Sequence, residues 1–381
     1  MTSSGYPPII DGHADYLLSL DSTGRDFLEE SDLGHVDLPR ARKGGLGGLF
    51  CSVFLGAGFA EMNPVGYTMK YLDDMYTLID RSEGQMRLVR DASALDECIE
   101  DGTFANILHF EGAEPIGRTL RELRTWYEAG WRSLGFVHAR ENIFGNGAPL
   151  APTDPDGYLA LQRPVPGRAG RGAQTIRGWG LPRDRRLPYL DTGLTQVGVE
   201  LIKECEYLGI IVDVSHMTDE SFWDTVKAAT KPLIASHSSV RALCDQKRNL
   251  TDEMIEAIAE GGGTIGINFS MRFLSQRHRD YADLEGGAAE VTLDETADHF
   301  QHIIDLVGDE HVSFGSDYDG GIQPPPEISD CSKLGNLMAA FERRGYSADR
   351  MERIANGNFR RVAHDVWKTV ERHEEALVGG D

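Results

Sequence analysis

The stretch Pro8-Ile9-Ile10-Asp11-Gly12-His13-Ala14-Asp15 begins as an apolar run and ends in polar residues at every second position. The apolar run predicts a buried β-strand, because short runs of this kind bounded by turn residues fit the interior of a sheet. His13 and Asp15 are two residues apart, so on a strand both side chains point to the same side and can bind one ion. Taken alone, each is more often a helix cap or a hydrogen-bonded polar residue than a metal ligand.

The same pattern returns along the chain, with amphipathic segments between the apolar runs. Residues 195–208 carry apolar side chains at helical spacing before Gly209, and Thr292 stands at capping-box distance from Glu295. Thr251 opens a third helix of this kind. This alternation predicts an α/β fold. The predicted strands span residues 8–15, 48–55, 105–111, 133–138, 209–216, 232–237, 264–269 and 311–317.

Periodicity alone does not separate a closed (β/α)8 barrel from an open doubly wound sheet. The position of the polar side chains favours the barrel, because they stand at the carboxyl ends of the strands, which converge on one face when a barrel closes. We therefore predict a (β/α)8 TIM barrel that forms one domain over residues 1–381. The strand-end residues are Asp11, His13, Asp15, Glu111, His138, Asp213, His216, His237, Asp317 and Asp319.

Composition narrows the classes of partner. The 381 residues carry 38 basic and 61 acidic side chains, a formal net charge of −23, which disfavours nucleic acid and anionic membranes. The first eight residues lack a secretory signal pattern, and no apolar stretch is long enough to span a membrane. We therefore expect a cytoplasmic protein. Five scattered cysteines are expected to be reduced and buried, namely Cys51, Cys98, Cys205, Cys244 and Cys331.

His216 and His237 end successive predicted strands, and together with the carboxylates they offer the imidazole and oxygen ligands that zinc favours. His109, two residues before Glu111, is expected to lie behind the ligands or in the core. No GxSxG elbow, P-loop or HExxH helix is present, and residues 44–48 are predicted to form a turn. The histidines expected to be exposed are His35, His278, His299, His302, His311, His364 and His373.

Six ordered motifs resemble those of the membrane (renal) dipeptidase family of zinc peptidases, and the resemblance runs from Ile9 to about Trp367. The motifs are Ile10-Asp11-Gly12-His13-Ala14-Asp15, Phe110-Glu111-Gly112, Asp213-Val214-Ser215-His216, Ser236-His237-Ser238-Ser239, Arg248-Asn249 and Gly315-Ser316-Asp317-Tyr318-Asp319-Gly320.

The resemblance implies a zinc-dependent dipeptidase on a barrel of the metal-dependent hydrolase type. It implies two Zn²⁺ ions bridged by Glu111 and a water or hydroxide, which attacks the peptide bond of a dipeptide that can carry a C-terminal D-residue. Relatives are often dimers, which leaves a homodimer open. The implied roles are one zinc ion on His13 and Asp15, the other on His216 and His237, proton handling by Asp317, contact with the scissile carbonyl by His138, and binding of the substrate carboxylate by Arg248.

The chemistry of these residues is consistent with that function. Two zinc ions bring four positive charges, of which Asp15, Glu111 and a hydroxide return three, and an ionised Asp317 would balance the last. Asp317 could pass a proton to the leaving amine, and His138 could stabilise the oxyanion. The Arg248 guanidinium can donate two parallel hydrogen bonds to a free carboxylate. Because the C-terminus of the substrate would then lie at a fixed distance from the metal ions, the substrate would be a short peptide.

Other interpretations stay open. Arg248 could form a surface salt bridge and His138 could be a turn residue. Other metal-dependent barrels hydrolyse cyclic amides or lactams, but they commonly open with His-x-His where this chain has His13-Ala14-Asp15. A non-catalytic relative serving as a binding module is disfavoured by the complete ligand set.

An Arg-, Gly- and Pro-rich segment at about residues 140–190 is predicted to be a loop insertion beside His138. It is expected either to shape access and recognise an acidic substrate side chain, or to be a solvated loop or oligomer contact.

Overall fold

The computed structural model describes residues 5–56, 63–148, 193–281 and 290–367. Nine parallel strands form one sheet in the order β2-β1-β9-β8-β7-β6-β5-β4-β3, and β2 also pairs with β4. This last pairing closes eight strands into a barrel, which confirms the predicted (β/α)8 TIM barrel. The strands are β1 Ile9–Ala14, β2 Leu46–Phe54, β3 Met86–Leu88, β4 Phe104–Glu111, β5 Trp131–Gly135, β6 Ile211–Asp213, β7 Leu233–Ala235, β8 Thr264–Ile267 and β9 Val312–Phe314.

Strand β3 is a ninth strand that the sequence analysis missed. Met86 pairs with Phe104 and Leu88 with Asn106, at the start of β4, whereas β5 pairs with residues 108–111. Because β2 occupies the other edge of β4, β3 and β5 share one edge. Three residues with an exposed arginine in the middle are too short to give a periodic signal.

Several predicted strands are longer than the observed ones at their carboxyl ends. The prediction of residues 209–216 contracts to Ile211–Asp213, and 232–237 contracts to Leu233–Ala235. The buried residues that follow each ladder leave the sheet, and His216 already has a φ of 67°. A buried apolar sequence therefore continues past the last ladder pair, which is why hydrophobicity overestimates the strand.

β1 and β9, the first and last strands along the chain, lie side by side in the barrel. They are joined by few backbone contacts and by the Asp11 side chain. The register pairs Asp11 with Phe314, and Ala14 forms a further bridge with Tyr318. The Asp11 carboxylate accepts hydrogen bonds from the backbone N–H of Ser316 at 2.7 Å and from its hydroxyl. This closure joins two segments that are about 300 residues apart in the chain.

Helices surround the barrel, and three of them begin directly after the residues predicted to cap them. Thr195 and Thr251 cap their helices, and Thr292 forms the predicted capping box with Glu295. The helices are Tyr16–Thr23, Leu38–Gly44, Pro64–Arg81, Ala92–Asp101, Arg121–Ala129, Gln196–Leu208, Asp219–Ala228, Asp252–Glu260, Met271–Leu274, Gln276–Tyr281, Leu293–Val307, Leu334–Arg343, Ala348–Glu352 and Asn358–Val366, with single 3-10 turns at Asp309–His311, Pro326–Ile328 and Cys331–Lys333 and a π turn at Arg353–Gly357.

The C-terminal helix Asn358–Val366 packs against the amino-terminal end of the barrel. Phe359 contacts Phe50 with ring centroids 5.0 Å apart, and both belong to a buried cluster with Ile10, Ile211 and Ile234 near the starts of their strands. This apolar cluster therefore fills the amino-terminal end of the barrel, and the polar side chains lie at the opposite, carboxyl end.

Several expectations about exposure are corrected. His35, His302 and His311 are half-buried, and His364 is exposed as expected. His299 and His278 are buried rather than exposed. His299 lies on the inner face of the helix Leu293–Val307, where Nδ1 accepts from the Val240 N–H and Nε2 contacts the Leu274 carbonyl oxygen. These backbone partners remove the cost of burying the ring. His373 lies outside the described residues.

The five cysteines are free and buried, as expected. In the described ranges, no helix combines the length and the apolar character that crossing a membrane requires. The predicted insertion at about residues 140–190 falls mainly on residues 149–192, which lie outside the described part of the chain.

Candidate active site

The carboxyl end of the barrel brings all eight predicted site residues together in a buried cluster. His13 lies in β1 and Asp15 just after it, and Glu111 is the last residue of β4. Loops beyond the strands supply the others. These are His138 after β5, His216 after β6, His237 and Arg248 after β7, and Asp317 after β9.

The Glu111 carboxylate lies between two groups of side chains. Its Oε1 is 2.9 Å from His216 Nε2 and 3.7 Å from both His237 Nε2 and His138 Nε2. Its Oε2 is 3.5 Å from His13 Nε2 and accepts a hydrogen bond from Ser52 at 3.1 Å. Each oxygen of one carboxylate therefore faces a different set of possible ligands.

Three overlapping groups have the composition and spacing of a metal site. Within each group, the ligand atoms lie within 4.8 Å of one another, and every residue is buried. Asp15 Oδ2 is 3.4 Å from His13 Nε2, and the Nε2 atoms of His216 and His237 are only 2.8 Å apart. The groups are His13 with Asp15 and Glu111, Glu111 with His138 and His216, and His13 with His237 and Asp317.

The backbone adopts the left-handed region at three residues of this face. His216, Asp317 and Asp319 have φ values of 67°, 64° and 66°, and none of them is glycine. Such conformations cost about 1–3 kcal/mol each and persist where the surrounding contacts impose them. Asp319 supplies one such contact, since its carboxylate accepts from Arg25 at 2.6 Å and from the His35 N–H at 2.7 Å.

Burial and crowding of acidic groups dominate the electrostatics. Burial raises the pKa of Glu111, and the neighbouring Asp15 raises it further. Burial likewise raises the pKa of Asp317 well above its ordinary value, with Asp15 and Glu111 adding to the effect against the opposing charge of His13. Concentrated carboxylates in a buried space create a site that a cation would stabilise.

The histidines divide into two electrostatic types. Burial holds the pKa values of His138, His216 and His237 well below the ordinary range, and nearby cationic groups lower them further. Burial also opposes protonation of His13, but the adjacent Glu111 and Asp15 outweigh it and raise its pKa. Neutral imidazoles are the form that binds metal ions.

Arg248 is buried beside this cluster, so it does not form the surface salt bridge that the sequence left open. It donates to the Ser238 hydroxyl at 3.2 Å and to the His237 carbonyl oxygen at 3.0 Å. Its Nε has no hydrogen-bond partner, and no carboxylate of the described residues pairs with it within 4.0 Å. Burial lowers its pKa, while Asp317 and Glu111 provide the nearest opposing charges.

Two contacts to these residues were missed by the sequence analysis. Asn268 donates to Asp317 Oδ2 at 2.9 Å, and Ser52 donates to Glu111. Asn268 was visible as a polar residue at the end of the predicted strand 264–269, a position that the same strand-end argument would have selected. His109 is buried, with Nδ1 2.9 Å from the Ser133 hydroxyl oxygen.

A (β/α)8 barrel that gathers buried imidazoles and carboxylates at its carboxyl end is typical of metal-dependent enzymes, among them hydrolases. The model of the membrane dipeptidase family, peptidase family M19, matches residues 6–157 and 181–377. The chain therefore belongs to this family, and its enzyme class is that of a metallo-dipeptidase.

Individual relatives agree with this assignment. The chain is 33% identical over 306 residues, 80% of its own length, to an uncharacterized protein in the pqqA 5′ region of Klebsiella pneumoniae, of which it covers 98%. It is 29% identical to an uncharacterized dipeptidase of Schizosaccharomyces pombe, over 95% of this chain and 80% of that protein. A metallopeptidase of Rhodobacter sphaeroides, solved with a phosphinate mimic of the dipeptide L-Ala-D-Ala, superposes with a TM-score of 0.78 and 28% identity, over 95% of this chain and 100% of that chain.

Proposed function

We propose that this protein is a zinc-dependent dipeptidase in which two Zn²⁺ ions share Glu111. One ion is assigned to His13 and Asp15, and the other to His216 and His237. The observation that carries the proposal is that the two oxygens of Glu111 face different ligand groups. Oε1 lies 2.9 Å from His216 Nε2, and Oε2 lies 3.5 Å from His13 Nε2. A carboxylate that presents one oxygen to each of two ligand groups is suited to bridging two cations.

The spacing of these ligand atoms supports zinc. Ligands bound to a tetrahedral zinc ion at about 2.0–2.1 Å lie about 3.3 Å from one another. Around the first ion, the pairs His13 Nε2–Asp15 Oδ2 and His13 Nε2–Glu111 Oε2 measure 3.4 and 3.5 Å. Around the second ion, His237 Nε2–Glu111 Oε1 measures 3.7 Å, whereas His216 Nε2 is closer to its neighbours, at 2.9 Å from Glu111 Oε1 and 2.8 Å from His237 Nε2. His13 Nε2 and Asp15 Oδ1 are also buried without a hydrogen-bond partner, as expected of atoms reserved for a metal ion.

Bound zinc would polarise the peptide carbonyl and supply an activated water at neutral pH. The residues around it have separate tasks in our proposal. Asp317 accepts the proton of the attacking water at its carboxylate and delivers it to the leaving amine, while the Asn268 amide fixes the direction of Oδ2. His138 lies 3.7 Å from Glu111 and contacts the scissile carbonyl oxygen.

Arg248 binds the substrate carboxylate and so limits the substrate to two residues. A buried guanidinium without a carboxylate partner is costly, and an anionic substrate group would supply the missing partner. Because the guanidinium is anchored to the His237 carbonyl oxygen at 3.0 Å, the distance between the carboxylate site and the ligands of the metal centre is fixed. A tripeptide would place its carboxylate one residue too far away.

Acceptance of a C-terminal D-residue is part of the proposal. It is supported by the Rhodobacter sphaeroides relative, whose bound phosphinate mimics L-Ala-D-Ala. In our proposal for this protein, binding depends on the contact between the substrate carboxylate and Arg248. The configuration of the second residue does not decide it.

The test combines metal analysis with a substrate panel. Native mass spectrometry is expected to find two zinc ions per chain. Dipeptides with C-terminal L- or D-residues are expected to be hydrolysed, whereas the matched C-terminal amides and tripeptides are not. Purified protein that holds no zinc and leaves every dipeptide intact would refute the proposal, and preferential cleavage of the amides would remove the carboxylate role of Arg248.

A further inference from the structure

The two histidines that face Glu111 Oε1 differ in what holds their second ring nitrogen. His237 Nδ1 lies 2.7 Å from the Ser236 hydroxyl oxygen, which in turn donates to Asp213 Oδ2 at 2.6 Å. His216 Nδ1 is buried without a hydrogen-bond partner. Of these two rings, His237 alone is therefore attached to a carboxylate through a hydroxyl group.

Asp213 determines the direction of each hydrogen bond between Asp213, Ser236 and His237. Its Oδ1 accepts from the backbone N–H groups of Ser215 at 3.0 Å and Ser236 at 2.8 Å, which fixes the carboxylate and turns Oδ2 toward the Ser236 hydroxyl. A carboxylate only accepts, so the hydroxyl proton goes to Asp213 and the hydroxyl lone pair accepts from His237 Nδ1–H. The Ser215 hydroxyl, 3.4 Å from that of Ser236, is too distant to compete.

We propose that Asp213 and Ser236 are positioning residues that fix His237 in the tautomer protonated on Nδ1, so that its Nε2 lone pair is presented to the metal centre. The inference rests on the proposed zinc function. A metal-bound imidazole must keep its proton on the other nitrogen, and a partner for that proton orients the ring. Neither residue is among the metal ligands or substrate contacts assigned above, and both act on His237 through hydrogen bonds.

Asp213→Asn is the most specific perturbation of the Asp213–Ser236–His237 relay. It keeps the number of heavy atoms but reverses the direction of the hydrogen bonds. The two backbone N–H groups require an acceptor at the Oδ1 position, so the amide nitrogen must take the Oδ2 position. From there it donates to the Ser236 hydroxyl, which then donates to His237 Nδ1 and leaves the proton on Nε2. His109 tolerates the change, because its Nε2, 3.4 Å from Asp213 Oδ2, can accept once its Nδ1 donates to Ser133.

Ser236→Ala removes the relay but imposes neither tautomer, so its effect is expected to be smaller than that of Asp213→Asn. Ser332→Ala is the matched control, because the Ser332 hydroxyl also donates to an aspartate, Asp330, and no histidine ring of the described residues is hydrogen-bonded to it. A purely structural role for Ser–Asp bonds would affect both serine variants alike.

The experiment measures zinc affinity of the full-length, metal-stripped proteins by competition with a fluorescent chelator. Loss of a residue that orients a metal ligand typically weakens affinity about 10- to 100-fold. We expect one of the two zinc ions to bind about 10-fold more weakly in Ser236→Ala and about 100-fold more weakly in Asp213→Asn, with Ser332→Ala unchanged. Histidine-selective ¹⁵N spectra of the metal-stripped proteins, with His237 assigned by a His237→Gln variant, are expected to show the protonated nitrogen at Nδ1 in the wild type and at Nε2 in Asp213→Asn.

Each outcome decides between the two proposals. A wild-type protein that binds no zinc refutes the proposed function. A wild type that binds two zinc ions, with Asp213→Asn equal to it in affinity and in ¹⁵N pattern, refutes the relay alone. Equal losses in Ser236→Ala and Ser332→Ala also refute it, since the effect would then come from the loss of a Ser–Asp hydrogen bond in general.

Discussion

Replacing Gly320 by alanine would test how closely the two carboxylates beside the metal centre must be placed. A Cβ at this position would lie 2.1 Å from Asp317 Oδ1 and 2.6 Å from Asp15 Oδ2. Gly320 has no positive φ, so its backbone accepts alanine and the perturbation is purely one of space. The chain therefore offers a way to displace both carboxylates without altering either of them.

The size of the displacement follows from the geometry. Moving Asp317 Oδ1 from 2.1 Å to the 3.4 Å of ordinary contact requires a shift of about 1.3 Å. Misplacement of a reacting group by about 1 Å costs about 100-fold in rate, which corresponds to about 2.7 kcal/mol of activation free energy. Overpacking of a filled site costs about 1–3 kcal/mol of folding free energy as well.

The assay compares kcat and kcat/KM for one dipeptide, together with zinc content and thermal unfolding. Gly261→Ala is the control, because it lies before β8 at the opposite end of the barrel and its added Cβ would meet other atoms at 3.5 Å or more. We expect kcat to fall about 100-fold in Gly320→Ala and to be unchanged in Gly261→Ala. A Gly320→Ala protein with wild-type kcat and full zinc content would show that the positions of Asp15 and Asp317 do not limit the reaction.

Three further predictions concern the same face. Asp317→Asn is expected to keep both zinc ions but lose about 10²- to 10⁴-fold in kcat, and near-normal turnover would contradict its role in proton transfer. In the metal-stripped protein, the raised pKa of Asp317 means that the folded state holds a proton that the unfolded state has lost above about pH 4. Stability from this group therefore falls as pH rises through the folded-state pKa, and urea unfolding should show Asp317→Asn gaining on the wild type over that range, whereas a constant difference would contradict the shift. Arg248→Met is expected to raise KM about 10- to 100-fold with a smaller change in kcat, while hydrolysis of C-terminal amides stays as slow as before; an unchanged KM would place the carboxylate elsewhere.

The sequence was sufficient to predict the barrel and the gathering of the candidate site residues at one end, because both depend on one repeated signal. A buried strand that ends in a polar residue recurs around the barrel, and closure carries those ends to one face. His13, Glu111 and Asp317 come from distant parts of the chain, yet each could be selected locally. Their meeting within a few ångströms required only that the predicted strands pair in order.

Features that depend on a single tertiary contact were not predictable in this way. Burial of His299 depends on the Val240 N–H and the Leu274 carbonyl oxygen, which are 59 and 25 residues away in the chain. The three residues of β3 are a strand only because the start of β4 leaves an edge uncovered. Likewise, nothing in the sequence around Ser236 indicates that its hydroxyl lies between Asp213 and His237, because Asp213 comes from a different strand.

Closure of the barrel between β1 and β9 has a consequence for biosynthesis. His13 and Asp15 leave the ribosome early, but Asp317 and the Ser316 partner of Asp11 are among the last residues of the barrel to be made. At about 5–20 residues per second, roughly 15 to 60 s separate the synthesis of the two ends. A nascent chain can therefore offer a metal ion only part of the proposed ligand set, and the full set can come together only after the last strand has emerged.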